Sequence, residues 1–241
     1  MNTVVRLGDT VRRPVPSRAQ FVHGLLQLFE RAGWPGAPRF LGIDGEGREI
    51  LEYVEGHIAW EPSQASAVAG KDSLIRVAEL VREFHNLTAG SDLASGDEVV
   101  CHNDLSPKNT VYRDQGAGLR PVAFIDWDLA APGRRIEDVA HLCWQYLGMA
   151  PGADVAQTGR LIRAVCDGYG LADRSELLEV VLWWQDRCWR GIDSAADAGD
   201  PAMTGLRDRG LMLQVQLAYQ WTWDNRSVFA RALSAGQRAP R

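Results

Sequence analysis

Lysine is almost missing from this 241-residue chain. Of its 26 basic residues only Lys71 and Lys108 are lysines; the rest are arginines. Long apolar runs are missing too. None reaches the roughly 20 residues needed to span a bilayer. The first residues, MNTVVRLGDTVRRP, lack the apolar stretch of a secretory leader. These absences point to a cytoplasmic protein with no membrane partner. Cysteine is sparse. Cys101, Cys143, Cys166 and Cys188 lie far apart and form no CxxC pair, which argues against a zinc site and a disulfide framework. They are expected to be small buried apolar residues. No repeat or low-complexity tract is present. Positive charge is not in excess either: the net charge of −5 argues against a nucleic-acid partner.

What is present is an ordinary globular composition, 46% hydrophobic and 24% charged, long enough for one or two compact domains. Charge is uneven along the chain. Residues 1–51 carry net +2, residues 52–149 net −7, and residues 150–241 are balanced. The acidic middle can attract a cation, or it can be no more than solvated helix faces.

The N-terminal residues 4–15 read as a hairpin turning at Gly8-Asp9, with Pro14 and Pro16 ending the second strand. Ser17 is the expected N-cap of a helix to Arg31, with Phe21, Leu25, Leu28 and Phe29 inward. Two strands follow, 40–43 and 49–54, joined at Asp44-Gly45-Glu46-Gly47. Residues 71–89 form a helix with Leu74, Val77, Ala78, Val81 and Phe84 on one stripe. Beyond Asp128 the chain reads as helices over about 135–148, 155–169, 175–195 and 203–234. The expected fold class is α+β with two lobes. Residues 1–56 form a small sheet lobe ending in a hinge. Residues 57–241 form a helical lobe interrupted by the hairpin 99–128. A cleft is expected near 52–56.

The chemistry concentrates in His102-Asn103-Asp104-Leu105-Ser106-Pro107-Lys108-Asn109 and Phe124-Ile125-Asp126-Trp127-Asp128. Thr110–Tyr112 and Pro121–Ile125 are strands around a turn at 114–118. Hairpin closure brings Asn109 and Asp126 side by side, with Asp104 held near them by its loop. A carboxylate and an amide oxygen are hard ligands suited to Mg²⁺. A further carboxylate can orient a hydroxyl and accept its proton. Together they suit phosphoryl transfer from ATP.

The pattern HxDxxxxN followed by an apolar strand and Ile-Asp resembles the catalytic and metal loops of protein kinases. HNDLSPKN…FIDWD resembles more closely the aminoglycoside phosphotransferase and choline kinase-like families. Gly133–Ala140 resembles their G-x-x-x-x-D-x-A helix, and Ile50–Gly56 their hinge. The resemblance implies a two-lobed protein-kinase-like fold, here with a reduced N-terminal lobe. It implies an enzyme moving the γ-phosphate of ATP, with GTP an alternative, to a hydroxyl of an aminoglycoside, amino-alcohol or sugar. Asp104 would be the catalytic base, and Asn109 and Asp126 the Mg²⁺ ligands. The backbone of Glu52, Tyr53 and Val54 would meet the adenine edge. His102 would shape the loop, and Asp128 would support the metal site or pin the loop.

The usual phosphate-positioning lysine is absent. Arg12 or Arg13 stands at its place in the strand before the first helix, and Arg12 is the expected phosphate ligand. That helix offers Glu30 only at its end as a partner. Ser106 stands where many protein kinases have a second lysine. Nothing like the family's further hairpin precedes Val4. A catalytically degenerate nucleotide- or ligand-binding module is the alternative reading. His85 and His141 are expected in the core, and His23 and His57 at the surface or hinge. Trp183, Trp184, Trp189, Trp221 and Trp223 could pack the helices or line a substrate cleft.

Overall fold

The computed structural model describes residues 4–60, 64, 68–116 and 118–235. The chain forms two compact units, residues 1–138 and 139–241.

The first unit opens with the expected hairpin, β1 (Val5–Leu7) and β2 (Thr10–Pro14), turning where Gly8 takes φ +61°. Helix α1 (Ala19–Arg31) follows. Ser17 is not its cap. The helix starts one residue later, after Arg18, with no side-chain cap, and the Ala19 amide donates to the Pro16 carbonyl. The buried stripe is Val22, Leu25, Leu26 and Phe29, one step round from the expected face. Strands β3 (Phe40–Ile43) and β4 (Arg48–Glu52) complete an antiparallel sheet in the order β1-β2-β4-β3. Its register sets Arg13 opposite Glu49 and Arg12 opposite Ile50.

Helix α2 (Lys71–Thr88) buries Leu74, Val77, Ala78, Val81 and Phe84, all the residues of the predicted stripe. The strand β6 (Val99–Cys101) leads into the motif loop. The hairpin is β7 (Thr110–Asp114) and β8 (Leu119–Phe124), joined by β5 (His57–Ile58) in a three-stranded sheet. A last short strand, β9 (Ala131–Gly133), pairs with β6. Neither β5 nor β9 was legible, because two or three residues carry no periodicity. Phe29, Trp34, Phe84, Phe124 and Trp127 form a chain of tilted and edge-on rings beneath the motif loops, with centroids 4.8–6.5 Å apart.

Helix α3 (Arg135–Leu147) carries the chain from the first unit into the second. There follow α4 (Val155–Tyr169), α5 (Leu177–Asp197), α6 (Pro201–Asp208) and α7 (Leu211–Ser234). The single helix expected over 203–234 is broken at Gly210, which takes φ +77°, and Asp200 caps the short α6 through the amides of Ala202 and Met203. Gly159 allows α4 and α7 to approach closely: a Cβ there would lie 3.1 Å from that of Ala232. Cys101, Cys143 and Cys166 are buried and unpaired, as expected; Cys188 is half-buried. Trp184 is buried, whereas Trp183 and Trp223 are largely exposed. Among the described residues no helix is long and apolar enough to cross a membrane.

Candidate active site

The motif loop is built from its buried end outward. Asp138 of α3 is wholly buried, and its two carboxylate oxygens accept the backbone N–H groups of His102 (2.7 Å) and Asn103 (3.0 Å). His85 of α2, also wholly buried, meets the same carboxylate at 3.2 Å. Burial pushes the Asp138 carboxyl up, but the contacts with His85 and His102 together outweigh it and the group is held below the usual carboxylate range. Burial pushes the imidazoles of His85 and His102 below theirs. His102 accepts the Asp104 N–H at Nδ1 (3.3 Å), so its proton sits on Nε2, which donates to the Ile125 carbonyl (3.1 Å). Neutral and fully bonded, it ties the loop to the strand before Asp126. Asn103 takes φ +63°, a conformation that Asn tolerates better than most residues, and its side chain donates to the Leu129 carbonyl.

The hairpin does what its spacing required. Thr110 pairs with Phe124, and the Ile125 amide donates to the Asn109 carbonyl at 2.9 Å, so Asn109 and Asp126 emerge at one rim. Asn109 is buried and donates through Nδ2 to both the backbone carbonyl (2.8 Å) and the carboxylate (2.7 Å) of Asp104. That leaves its side-chain oxygen as an acceptor. Asp126, at φ +64°, holds a half-exposed carboxylate within reach of Arg13. The Asn109 oxygen and the Asp126 carboxylate are hard donors, a set that fits a magnesium ion with water and phosphate completing its shell. Asp104 itself is partly exposed, and Lys108 Nζ stands 3.9 Å from its carboxylate.

The arginine beside these acids is Arg13. Its Nη2 lies 2.5 Å from one Asp128 oxygen, and its Nη1 lies 3.1 Å from the other and 3.4 Å from Asp126. Arg12, the residue expected there, lies 3.8 Å from Asp44 instead. Alternation along β2 sends one arginine to each face, and the pairing with β4 decides which: Arg13 stands opposite Glu49 and binds it through Nε. Burial opposes the Arg13 charge, but Asp128 and Glu49 outweigh it and hold its pKa above the usual value. Burial pushes the Asp128 carboxyl up, with Arg13 opposing. Asp128 thus meets a cation of the chain itself. His23 corrects a further expectation: it is not a surface residue but bonds Glu49 at 2.7 Å and stacks on Phe40.

Glu52, Tyr53 and Val54 line a cleft of about 880 Å³ with Arg6, Arg39 and Arg113. The Tyr53 N–H donates to the Asp9 carbonyl, and Arg6 lies 3.6 Å over the Tyr53 ring. In the second unit acidic side chains are paired with arginines: Asp186 with Arg190, and Asp193 and Asp197 with Arg207.

Nothing in the sequence pointed to the contacts that Asp138 makes with the loop and with His85, or Glu49 with Arg13 and His23. Asp138 itself had a signal, since it is the acid of the Gly133–Ala140 pattern.

Residues 76–180 match the phosphotransferase enzyme family model. The trifolitoxin immunity protein of Rhizobium leguminosarum bv. trifolii is 29% identical over 197 residues, covering 70% of this chain and 71% of that one. An aminoglycoside phosphotransferase from Alicyclobacillus acidocaldarius subsp. acidocaldarius DSM 446 superposes with a TM-score of 0.55 at 15% identity, over 95% of this chain and 92% of that chain. The GDP and kanamycin complex of APH(2")-IIia gives 0.52 at 15% identity, over 98% and 90%. The chain thus has the kinase-like fold of the aminoglycoside phosphotransferases and resembles that family in sequence.

Proposed function

We propose that the protein transfers the γ-phosphate of ATP to a hydroxyl of a small molecule of the aminoglycoside, amino-alcohol or sugar type. The observation that carries this reading is the convergence of Asp104, Asn109 and Asp126 at one rim, with Arg13 reaching Asp126. Asp104 is the base. It orients the acceptor hydroxyl and takes its proton as the oxygen bonds to the γ-phosphorus and the bond to the β-γ bridging oxygen breaks, the nucleoside diphosphate leaving with that electron pair. The Asn109 bonds fix the Asp104 carboxylate before substrate arrives, so less ordering remains to be done in the transition state. Asn109 and Asp126 would hold Mg²⁺, which supplies charge neutralisation on the phosphate oxygens. Arg13 takes the phosphate-facing role expected of Arg12: its Nη edge, which rests on Asp128 and Asp126, turns to phosphate oxygens when the nucleotide binds. Glu52, Tyr53 and Val54 form the nucleotide edge.

The relative named for immunity favours a second reading, in which the chain holds a toxic molecule without turnover. Asp104→Asn separates the two. Nucleoside diphosphate release is followed with Mg²⁺, ATP or GTP, and a panel of aminoglycosides, amino-alcohols and sugars. The phosphotransferase reading expects acceptor-dependent release that Asp104→Asn lowers at least about 10²-fold, with nucleotide binding retained. Equal release by both proteins would remove Asp104 from the role of base. In the same assay Arg13→Ala should raise the KM for ATP at least about tenfold, and Arg12→Ala should leave it within about twofold.

A further inference from the structure

Glu49 sits on β4 with no exposed surface, between two basic side chains from different elements. One carboxylate oxygen accepts from Arg13 Nε on β2; the other meets His23 Nε2 on α1 at 2.7 Å. The His23 ring is itself fixed, stacked on Phe40 of β3 with centroids 3.6 Å apart and planes within 15°. The Nε edge of the Arg13 guanidinium is therefore held from behind, and its Nη edge is turned to Asp126 and Asp128.

We infer that Glu49 and His23 are positioning residues: they form a buried support, reaching from α1 through β4 to β2, that fixes Arg13 for the phosphates of the nucleotide. This rests on the phosphotransferase reading. A buried carboxylate is stable only while paired, so Glu49 cannot release Arg13 without leaving an uncompensated charge. Arginine is long and loses much rotamer freedom when fixed. A guanidinium gripped along one edge has lost that freedom before the ligand arrives, so ligand binding need not supply the ordering. Arg12, its sequence neighbour, has no such support: it lies 3.8 Å from Asp44, and its Nη1 is buried without a partner. Neither Glu49 nor His23 bonds Asp104, Asn109 or Asp126, so both act through Arg13.

The sequence hides this support because its acid comes from a strand, whereas the family pattern looks for a glutamate within the helix. Here the helix supplies a histidine and the strand supplies the carboxylate.

The test is a double-mutant cycle on the full chain, read as Mg·ATP affinity by displacement of a fluorescent nucleotide and as steady-state kinetics. Arg13→Ala and Glu49→Gln should each weaken ATP affinity at least about tenfold, leaving the KM for the acceptor unchanged, and the double variant should be no weaker than the weaker single. His23→Ala should lose several-fold, and His23→Gln, which can still donate to the carboxylate, should recover most of it. The inference is overturned if folded Glu49→Gln binds ATP like the wild type, or if the two losses multiply in the double variant. Should Glu49→Gln fail to fold, the His23 pair decides: equal affinities for His23→Ala and the wild type overturn the support. A non-additive cycle on affinity without any acceptor turnover would sink the phosphotransferase reading and leave the support standing. A wild type that binds no nucleotide would sink both.

Discussion

Asp138→Asn is the substitution with the best-defined consequence, because it keeps shape and removes one charge. The carboxylate accepts two backbone N–H groups and faces one buried imidazole, all without solvent. An amide retains one oxygen, so an N–H of the new side chain must confront the N–H of His102 or Asn103. Losing one charge-assisted hydrogen bond costs about 1.5–3 kcal/mol. Each surviving contact also falls from charge-assisted to neutral strength, roughly half its value, for about 1–2 kcal/mol more. The sum is about 2.5–5 kcal/mol. For a chain of this length each kcal/mol moves Tm by about 2–4 °C, so a fall of about 5–20 °C is expected by thermal unfolding. Asp104→Asn supplies the control. Its carboxylate is partly exposed, and it should move Tm by no more than about 2 °C. Equal small shifts for the two variants would refute the idea that Asp138 is the anchor of the motif loop.

Acidification provides a second check. His85 and His102 are buried, with pKa values held below normal by burial. The unfolded chain protonates each near its usual value of about 6.5, before the native state does, so stability must fall as pH drops below about 6.5. The slope is at most about 1.4 kcal/mol per pH unit per histidine. Asp138, held low, adds its loss only below about pH 4. A urea midpoint that stays flat from pH 7 to 5.5 would show that these imidazoles are not neutral in the fold. Gly56→Ala tests the hinge segment: Gly56 has φ +150°, and a Cβ would lie 2.5 Å from Val111 Cγ1 and 2.6 Å from the Tyr112 carbonyl oxygen. Backbone strain and overpacking together should cost about 2–6 kcal/mol. Gly8→Ala, also at positive φ but in open space, should cost only about 1–3 kcal/mol. Equal losses in denaturant midpoint would count against the contact.

The motif hairpin was legible because a hairpin closes locally: once 110–112 and 121–125 are strands, Asn109 has nowhere to go but beside Ile125. The α2 stripe was legible because five residues repeat the helical period. Three of the failures have one cause in common. Which of Arg12 and Arg13 turns inward depends on pairing with β4, 36 residues further on. Alternation gives two faces but not which one is inner. His23 looked like a surface residue because its acid partner lies 26 residues away on another element. Asp138 and the loop it holds are likewise 35 and 36 residues apart. The broken C-terminal helix is different: Asp200, Pro201 and Gly210 are local signals, and they were in plain view.

That division by sequence distance has a consequence for how the chain assembles. Asp104, Asn109, Asp126, Asp128 and Asp138 all lie within 35 consecutive residues, and β6 to β9 and the start of α3 close that segment on itself with short loops. Such contacts form with little loop-closure cost. Arg13, His23 and Glu49 arrive from a separate stretch of chain and meet the acids only through one arginine. The acidic half of the site is therefore closed mainly by near neighbours in the chain, with β5, His85 and the rings of α1 and α2 added from earlier residues. Hydrogen exchange should show it as a distinct cooperative unit, and a lineage could trade lysine for arginine, or helix glutamate for strand glutamate, on the basic half without disturbing it.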